Sequence, residues 1–326
     1  MMADSMLTVS SAPHIRGRLT TPVVMRDVVI SLIPACAAGV YFFGARALIS
    51  LAAGIIGAVG AEYVFEKLGR LPVTIGDWSA VVTGMLLAMV LPPYVPWWIL
   101  LLSAAFTIGV VKLLFGGLGY NVFNPALAGR AFAVSAWSAL ASTGYVWPAG
   151  AVAANWVSGF DAVSTATPLT LLKMGEIGGT PMTRFYAPLF FGNVAGSLGE
   201  TSAVALLIGG LYLLWREHIS LRIPAVYILT VAVITSLYGQ DPLFHVLSGG
   251  LLLGAFFMAT DYVTSPLNAS GQIIFAIGCG LLTSLIRLFG GYPEGVAYSI
   301  LIMNAFVPLI DRSFRPKRFG EVKARG

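Results

Sequence analysis

The stretch WSAVVTGMLLAMVLPPYVPWWILLLSAAFTIGVV, residues 78–111, is the clearest indication of the fold class. It contains no Asp, Glu, Lys or Arg, and it is too long for one membrane crossing, because about 20 helical residues span a hydrocarbon core of about 30 Å. Three prolines in LPPYVPWW, residues 91–98, interrupt it, and proline breaks a helix. The stretch therefore predicts a pair of membrane helices in an all-α, polytopic membrane protein.

The composition of the whole chain supports this fold class. Of 326 residues, 57% are hydrophobic and only 10% are charged, with a mean hydropathy of +0.86. An ordinary soluble domain has roughly 25% charged residues. The 37 Gly and 18 Pro follow no period and there are only 2 Cys, so a cytosolic enzyme, a collagen-like fibre and a disulfide scaffold are excluded.

About ten transmembrane helices are expected. Besides the pair within residues 78–111, apolar runs occupy residues 28–44, 47–65, 123–140, 201–215, 223–238, 243–260, 272–289 and 296–310. An even number of spans places both termini on one side of the membrane. Residues 1–26 are polar and lack the features of a secretory signal, so they are interpreted as a cytoplasmic tail.

The basic residues set the orientation, because cytoplasmic loops carry an excess of Lys and Arg. With the N-terminus inside, only four basic residues fall in outer loops, namely Arg46, Lys173, Arg184 and Arg287. Fourteen fall inside: Arg16, Arg18, Arg26, Lys67, Arg70, Lys112, Arg216, Arg222, Arg312, Arg315, Lys317, Arg318, Lys323 and Arg325. We expect a bacterial inner-membrane protein with both termini cytoplasmic and contacts with membrane lipid; the net charge of +5 needs no nucleic-acid partner.

The two halves of the chain resemble each other. TGMLLAMVLPP at 83–93 is similar to SGGLLLGAFFMATDYVTSP at 248–266, and LFGGLG at 114–119 to LFGGYP at 288–293. Five helices in each half, an odd number, predict two inverted repeats, although chance similarity between Gly-rich apolar stretches is the alternative. The expected organisation is a tail at 1–26, a first repeat at 27–141, an outer loop at 142–199, a second repeat at 200–311 and a basic tail at 312–326.

Metal chemistry is not expected. Cys36 and Cys279 lie in apolar runs without a CxxC pattern, and His14, His218 and His245 are dispersed. No ligand spacing for zinc or an iron–sulfur cluster is present.

The outer loop contains the segment DAVSTATPLTLLK, residues 161–173. Thr167 followed by Pro168 is typical of a helix start, with Thr at the N-cap and Pro at the first helical position. Such an N-terminus suits a phosphate. A plain N-cap is the alternative, and the residues alone favour it.

Several motifs together resemble the D subunit of the Rnf-type ferredoxin:NAD oxidoreductase complexes, a family related to the B subunit of the sodium-pumping NADH:quinone oxidoreductase. They cover nearly the whole chain: SAPHIRGRLTTPVVMRDVVISLIPA at 11–35, VVTGMLLAMVLPP at 81–93, FGGLGYNVFNPALAGRAF at 115–132, AGSLGETSAVALLIGG at 195–210, MATDYVTSP at 258–266 and GGYPEGVAYSILIMNAFVPLIDR at 290–312.

The resemblance implies a covalent flavin. In this family a flavin transferase joins FMN, through its phosphate, to a Thr in a motif that Asp161, Ser164, Ala166 and Thr167 match. Thr167 is the implied attachment point, with Thr165 as the alternative because it stands where the family usually has Gly. Tyr262 stands where the family usually has Pro. A noncovalent riboflavin between the repeats is also implied, as are the other Rnf subunits as partners, including a second flavin-bearing subunit.

Other polar residues near the spans are functional candidates, because polar groups are costly in a membrane. Glu200 and Thr201 begin the sixth predicted span, and Asn121 and Asn124 precede the fifth. All four are candidate cofactor-binding residues. The alternative is that they cap a helix or hydrogen-bond backbone groups of a broken helix. The same choice between a bound cation or flavin and a capping or pairing role applies to Asp77 and Asp261, while Arg130, inside a span, needs a polar partner.

The sequence thus predicts a membrane subunit of an ion-translocating electron-transport complex that catalyses no complete reaction alone. Two alternatives remain: a B-type subunit of a sodium-pumping NADH:quinone oxidoreductase, and a small-solute channel or transporter with inverted repeats.

Overall fold

The computed structural model describes residues 20–143, 145, 166–176, 181–291 and 295–314, and every regular element within them is helical. The α-helices are α1 (Thr21–Phe43), α2 (Ala45–Leu68), α3 (Ser79–Val90), α4 (Trp97–Phe106), α5 (Pro125–Ala136), α6 (Ser138–Thr143), α7 (Pro168–Lys173), α8 (Thr183–Phe191), α9 (Ala203–Trp215), α10 (Arg222–Leu237), α11 (Pro242–Leu247), α12 (Leu251–Leu253), α13 (Ala269–Phe289) and α14 (Val296–Ser313). Two π-helical segments, Thr107–Leu113 and Gly254–Met258, continue α4 and α12.

Four helices, α1, α2, α13 and α14, are long and apolar enough to cross a membrane. With a rise of 1.5 Å per residue, the 21 residues of α13 extend about 31 Å, which matches the hydrocarbon thickness. Their outward faces carry large apolar side chains, such as Ile56 and Leu281. These helices make the protein a multi-pass membrane protein.

Two shorter stretches are interrupted within the protein. The helix α3 ends at Val90, immediately before Leu91 and the prolines of LPPYVP, and α4 begins at Trp97, so the predicted break is confirmed. The run expected as one span at 243–260 is also broken, between α11 and α12. Gly249 and Gly250 adopt φ values of 66° and 67° there, a conformation that Gly adopts without a steric penalty.

Small residues allow helices of this core to approach closely. A Cβ atom added to Gly54 of α2 would lie 2.5 Å from the carbonyl oxygen of Gly84 in α3, and one added to Gly209 of α9 would lie 2.0 Å from that of Ser31 in α1. Since lipid is as apolar as the helices, close backbone packing is a main source of helix association in a membrane. The glycines therefore hold α1 against α9 and α2 against α3.

Polar side chains cluster at two ends of the molecule. Side chains near the start of α1, the end of α9 and the start of α3 meet at one of them, which we call the His218 end. At the other, the Thr167 end, α7 packs near the break between α11 and α12.

Candidate functional site

Thr167 is the N-cap of α7. Its Oγ1 accepts from the backbone N–H of Thr170 at 3.4 Å and lies 2.9 Å from the Thr170 hydroxyl. Pro168 occupies the first helical position, as the sequence predicts, and Thr167 is 5% exposed. Ala166 precedes it as described backbone, whereas Asp161, Ser164 and the alternative residue Thr165 lie outside the described residues.

Glu200 lies beside Thr167. Both residues line a cavity that encloses about 240 Å³, including the part open to solvent, together with Ser248 and Gly249. The Glu200 carboxylate accepts from the backbone N–H of Ser197 at 3.4 Å. The helix α9 begins only at Ala203, with Ser202 as its N-cap, so Glu200 is not the cap of this helix.

Thr201 does not join this cavity through its side chain. Its hydroxyl donates to the carbonyl oxygens of Ser197 and Leu198 at 3.1 and 3.2 Å, and the residue is fully buried. It therefore shapes the turn that presents Glu200.

Arg287, which the sequence analysis placed in an outer loop, is a buried side chain of α13 at the Thr167 end. Its guanidinium donates to the carbonyl oxygens of His245 at 2.6 Å, Ser248 at 3.0 Å and Gly249 at 3.1 Å. These carbonyls belong to the break between α11 and α12. Arg287 thus satisfies backbone groups that the interrupted helix leaves without helical partners.

Arg130 of α5 has the polar partner that the sequence requires, because its side chain hydrogen-bonds Tyr145. Burial, the largest influence, raises the pKa of Tyr145 to about 12. The phenol is therefore a neutral hydrogen-bonding group at physiological pH.

A larger cavity opens at the His218 end. Its empty volume is about 800 Å³ when the open mouth is counted. Most of its wall is apolar, contributed by side chains such as Leu86 and Phe256. The polar side chains in the wall come from both halves of the chain: Ser79, Thr83, Lys112, Asn121 and Asn124 from the first, and His218, Thr260, Asp261 and Tyr262 from the second.

Asp27 joins the two halves at this end. Its Oδ2 accepts from Nε and Nη2 of Arg216 at 3.0 and 2.8 Å and lies 2.6 Å from Nε2 of His218. The Tyr212 hydroxyl donates to the other carboxylate oxygen at 3.4 Å. Asp27 and His218 are both buried, so the start of α1 is fixed to the segment after α9.

A second buried ion pair lies at the same end. Nζ of Lys112 contacts Oε1 of Glu62 and donates to Oγ of Ser79 at 2.5 Å. Glu62 and Lys112 are fully enclosed, and Oε2 of Glu62 has no hydrogen-bond partner among the described residues. Buried charges persist in membrane proteins where they are paired, and here the pair connects α2, α3 and the segment after α4.

Asn124 contacts both halves of the chain. Its side-chain oxygen caps α5 by accepting from Leu127, and its amide donates to the carbonyl oxygen of Met258 at 3.3 Å. Its backbone N–H donates to Oδ1 of Asn304 at 3.1 Å. The Asn121 side chain donates to the carbonyl oxygen of Phe123 at 3.1 Å. Both asparagine side chains thus hydrogen-bond backbone groups, and both residues also line the larger cavity.

The two aspartates with open roles bond within their own turns. Asp77 accepts from the backbone N–H and hydroxyl of Ser79 at 2.8 and 2.5 Å. Asp261 accepts from the Thr264 hydroxyl at 3.0 Å and the backbone N–H of Val263 at 3.4 Å. Asp77 therefore serves the start of α3, and Asp261 holds the turn that closes the larger cavity.

The predicted site residues thus separate into two groups. Thr167 and Glu200 meet at one end, whereas Asn121 and Asn124 line the cavity at the other. Sequence reasoning missed Arg287 and four residues of the His218 end, namely Asp27, Glu62, Lys112 and His218. The sequence signal that could have found them is their position: each is an ionisable residue within or beside an apolar run. Such residues are rare in membrane spans unless they have polar partners.

The apolar helices, the interrupted segments between them and the two cavities are those of a multi-pass helical membrane protein. A family model described as the NQR2, RnfD, RnfE family matches residues 8–320, so the chain belongs to this family.

Relatives cover the chain from end to end. It is 51% identical to the D subunit of the Na⁺-translocating ferredoxin:NAD⁺ oxidoreductase complex of Acetobacterium woodii, over 99% of this chain and 98% of that protein. It is 45% identical to the D subunit of the proton-translocating ferredoxin:NAD⁺ oxidoreductase complex of Clostridium ljungdahlii, over 97% of each. It is also 42% identical to the D subunit of the ion-translocating oxidoreductase complex of Stutzerimonas stutzeri, over 93% of each.

Proposed function

We propose that this protein is the membrane subunit of an ion-translocating ferredoxin:NAD⁺ oxidoreductase complex and carries FMN on Thr167. The end-to-end identity to the D subunits of two such complexes is the observation that carries the first part. Its partners are the other subunits, including one with a second flavin, and it supplies one electron-transfer step rather than a complete reaction.

The residues around Thr167 fit a phosphate ester. The N–H and hydroxyl of Thr170 lie at Oγ1 of Thr167, and both can donate to phosphate oxygens. The cavity of about 240 Å³ is smaller than a typical pocket for a cofactor-sized ligand. A flavin ring joined to Thr167 would therefore extend beyond it. FMN held there would supply one- and two-electron redox chemistry, and the covalent bond would retain it.

We also propose the membrane arrangement. The four long helices and the shorter apolar helices Ser79–Val90, Trp97–Leu113, Ala203–Trp215 and Arg222–Leu237 account for eight of the ten proposed spans. Pro125–Ala136 and the broken run at 243–260 account for the other two, and the similarity between the two halves of the sequence supports the inverted repeat. The protein lies in the bacterial inner membrane with cytoplasmic termini and residues 142–199 outside, an orientation supported by the distribution of Lys and Arg. The His218 end is then cytoplasmic.

A second, noncovalent flavin, riboflavin, occupies the cavity at the His218 end in this proposal. The supporting observation is a largely apolar wall with a few polar groups from both halves, as is usual for cofactor sites. The interface of inverted repeats is also where ligands bind in such folds.

The test of the covalent flavin uses the whole chain, produced with and without the flavin transferase. Thr167→Ala should abolish the fluorescent flavin band of the protein on a denaturing gel, because no oxygen remains to form the ester. The intact mass should fall to that of the unmodified chain.

Thr165→Ala is the matched control and should keep the band. Loss of the band in Thr165→Ala but not in Thr167→Ala would move the attachment to Thr165. A wild-type protein that stays unmodified in the presence of the transferase contradicts the covalent-flavin proposal and favours the channel alternative.

A further inference from the structure

His218 is a polar residue of the larger cavity whose imidazole ring has a partner on one nitrogen only. It lies between α9 and α10, is 3% exposed and lines the cavity. One ring nitrogen, Nε2, lies 2.6 Å from Oδ2 of Asp27. No described residue hydrogen-bonds the other ring nitrogen, Nδ1. The ring is thus fixed on one edge, while its other edge has no partner in the part of the chain that the structure describes.

The partner of Nε2 sets the hydrogen-bonding character of Nδ1. Asp27 also accepts two hydrogen bonds from Arg216, and a carboxylate paired in this way is ionised and can only accept. Nε2 must therefore donate. In the neutral imidazole the remaining nitrogen, Nδ1, is then an acceptor.

The backbone of His218 is fixed as well. Its carbonyl oxygen accepts from the Tyr262 hydroxyl, which belongs to the turn that Asp261 holds. Asp27 lies on α1, and Arg216 follows the last residue of α9. Since α1, through Asp27, and the turn that contains Tyr262 both fix this residue, the position of Nδ1 is set before any ligand enters, which is the arrangement expected of a specificity-determining group.

We propose that Nδ1 of His218 accepts a hydrogen bond from the ligand in this cavity and so determines its orientation. The inference rests on the proposed second flavin, whose ring system carries one imide N–H and whose ribityl chain carries hydroxyls. Lys112 lines the cavity from the first half of the chain, with its Nζ held by Glu62 and Ser79. A ligand hydrogen-bonded to His218 would lie against wall residues from both halves of the chain.

Two substitutions separate this role from a structural one. In Asn, the polar side-chain atoms lie at about the position of Nδ1 of His; in Gln they lie at about the position of Nε2. His218→Asn therefore keeps a partner for the ligand and loses the contact with Asp27, whereas His218→Gln does the reverse. Tyr212→Phe, which removes a contact to Asp27 outside the cavity, is the matched control.

The measurement is riboflavin binding to the purified full-length protein after removal of noncovalent flavin, followed by quenching of flavin fluorescence. The Thr167-linked flavin band and the elution volume in detergent report that each variant is folded. We expect His218→Asn and Tyr212→Phe to bind within about threefold of wild type. His218→Gln should bind roughly tenfold to a hundredfold more weakly, because it leaves a buried ligand N–H or O–H without an acceptor.

The opposite order, with weak binding by His218→Asn and normal binding by His218→Gln, would overturn the inference, because it is the result expected if His218 only holds Asp27. Equal binding by both variants and the wild type would overturn it too, and would leave the second flavin in place. If the wild-type protein binds no riboflavin, the proposed second flavin is itself wrong.

Discussion

The two ends of the molecule satisfy their polar groups in different ways. At the Thr167 end, the buried guanidinium of Arg287 donates to three backbone carbonyls of a broken helix, and the neighbouring cavity is small. At the His218 end, charged side chains bond to each other across helices, as in Asp27 with Arg216 and Glu62 with Lys112. The cavity there is larger.

This difference relates to how each end can hold a cofactor. The larger cavity lies at the end with the side-chain pairs, and its wall combines apolar side chains with polar groups from both halves of the chain. The cavity beside Thr167 is too small for a flavin ring, so on the proposed function retention there depends on a covalent bond. On the proposed function, one end is built for a noncovalent cofactor and the other for a tethered one.

The largest expected effect comes from breaking the ion pair at the His218 end. Lys112→Met leaves the Glu62 carboxylate buried without its cation. One oxygen of this carboxylate, Oε2, already has no partner among the described residues. Removing one member of a buried pair costs about 3–5 kcal/mol. The midpoint of thermal unfolding in detergent should fall markedly, and the cavity at the His218 end should lose riboflavin.

Lys67→Met is the control, because Lys67 is an exposed residue near the end of α2, where a substitution changes stability by at most about 0.5 kcal/mol. The double variant Glu62→Leu with Lys112→Met should recover much of the loss, since no unpaired charge remains. Equal midpoints for Lys112→Met and Lys67→Met would show that the pair does not stabilise this end.

A smaller effect is expected at the Thr167 end. Arg287→Met leaves the carbonyls of His245, Ser248 and Gly249 without this donor, and a buried polar group without a partner costs about 1–3 kcal/mol. Because Gly249 lies beside Leu169 of α7, hydrogen exchange should rise in α7 and α11 rather than throughout the molecule.

Arg184→Met, an exposed residue of α8 at the same end, should leave this exchange unchanged. If Arg287→Met instead raised exchange around His218 as strongly as around Thr167, the two ends would not be separate units and the comparison would fail.

Local signals in the sequence were sufficient for several features. The prolines after Val90 predict the end of α3, and the Thr167-Pro168 pair predicts the start of α7; both are confirmed. Each depends on residues adjacent in the chain, where proline geometry and a capping hydroxyl act directly on the backbone. The motifs that resemble the Rnf-type complexes likewise led to the correct family.

The pairings at the His218 end could not be obtained in this way. Glu62 lies in a run that is otherwise almost uncharged, and its partner Lys112 follows 50 residues later. His218 and Asp27 are separated by 191 residues. Which ionisable groups meet depends on how α2 packs on the π-helical segment after α4 and how α1 packs on α9, and a single sequence does not show that packing. The break at Gly249 was missed because residues 243–260 contain no charged residue, although the Gly-Gly pair after Ser248 is a local signal for a break.

The smallest expected effect concerns a surface contact at the Thr167 end. The Tyr186 hydroxyl of α8 donates to Oδ2 of Asp241, the N-cap of α11, and this hydrogen bond raises the pKa of Tyr186. Because the folded pKa lies above the ordinary value of 10.0, the contribution is complete below pH 10 and disappears as the pH rises through the folded pKa. Tyr186→Phe should therefore increase hydrogen exchange in α8 slightly at pH 7 and have no added effect in strongly alkaline buffer. The Asp241 side chain still accepts from the backbone N–H of Phe244 at 2.9 Å in either case, so α11 should keep its protection from hydrogen exchange. A loss of protection in α11 would show that the contact with Tyr186, rather than the Asp241 cap, positions this helix.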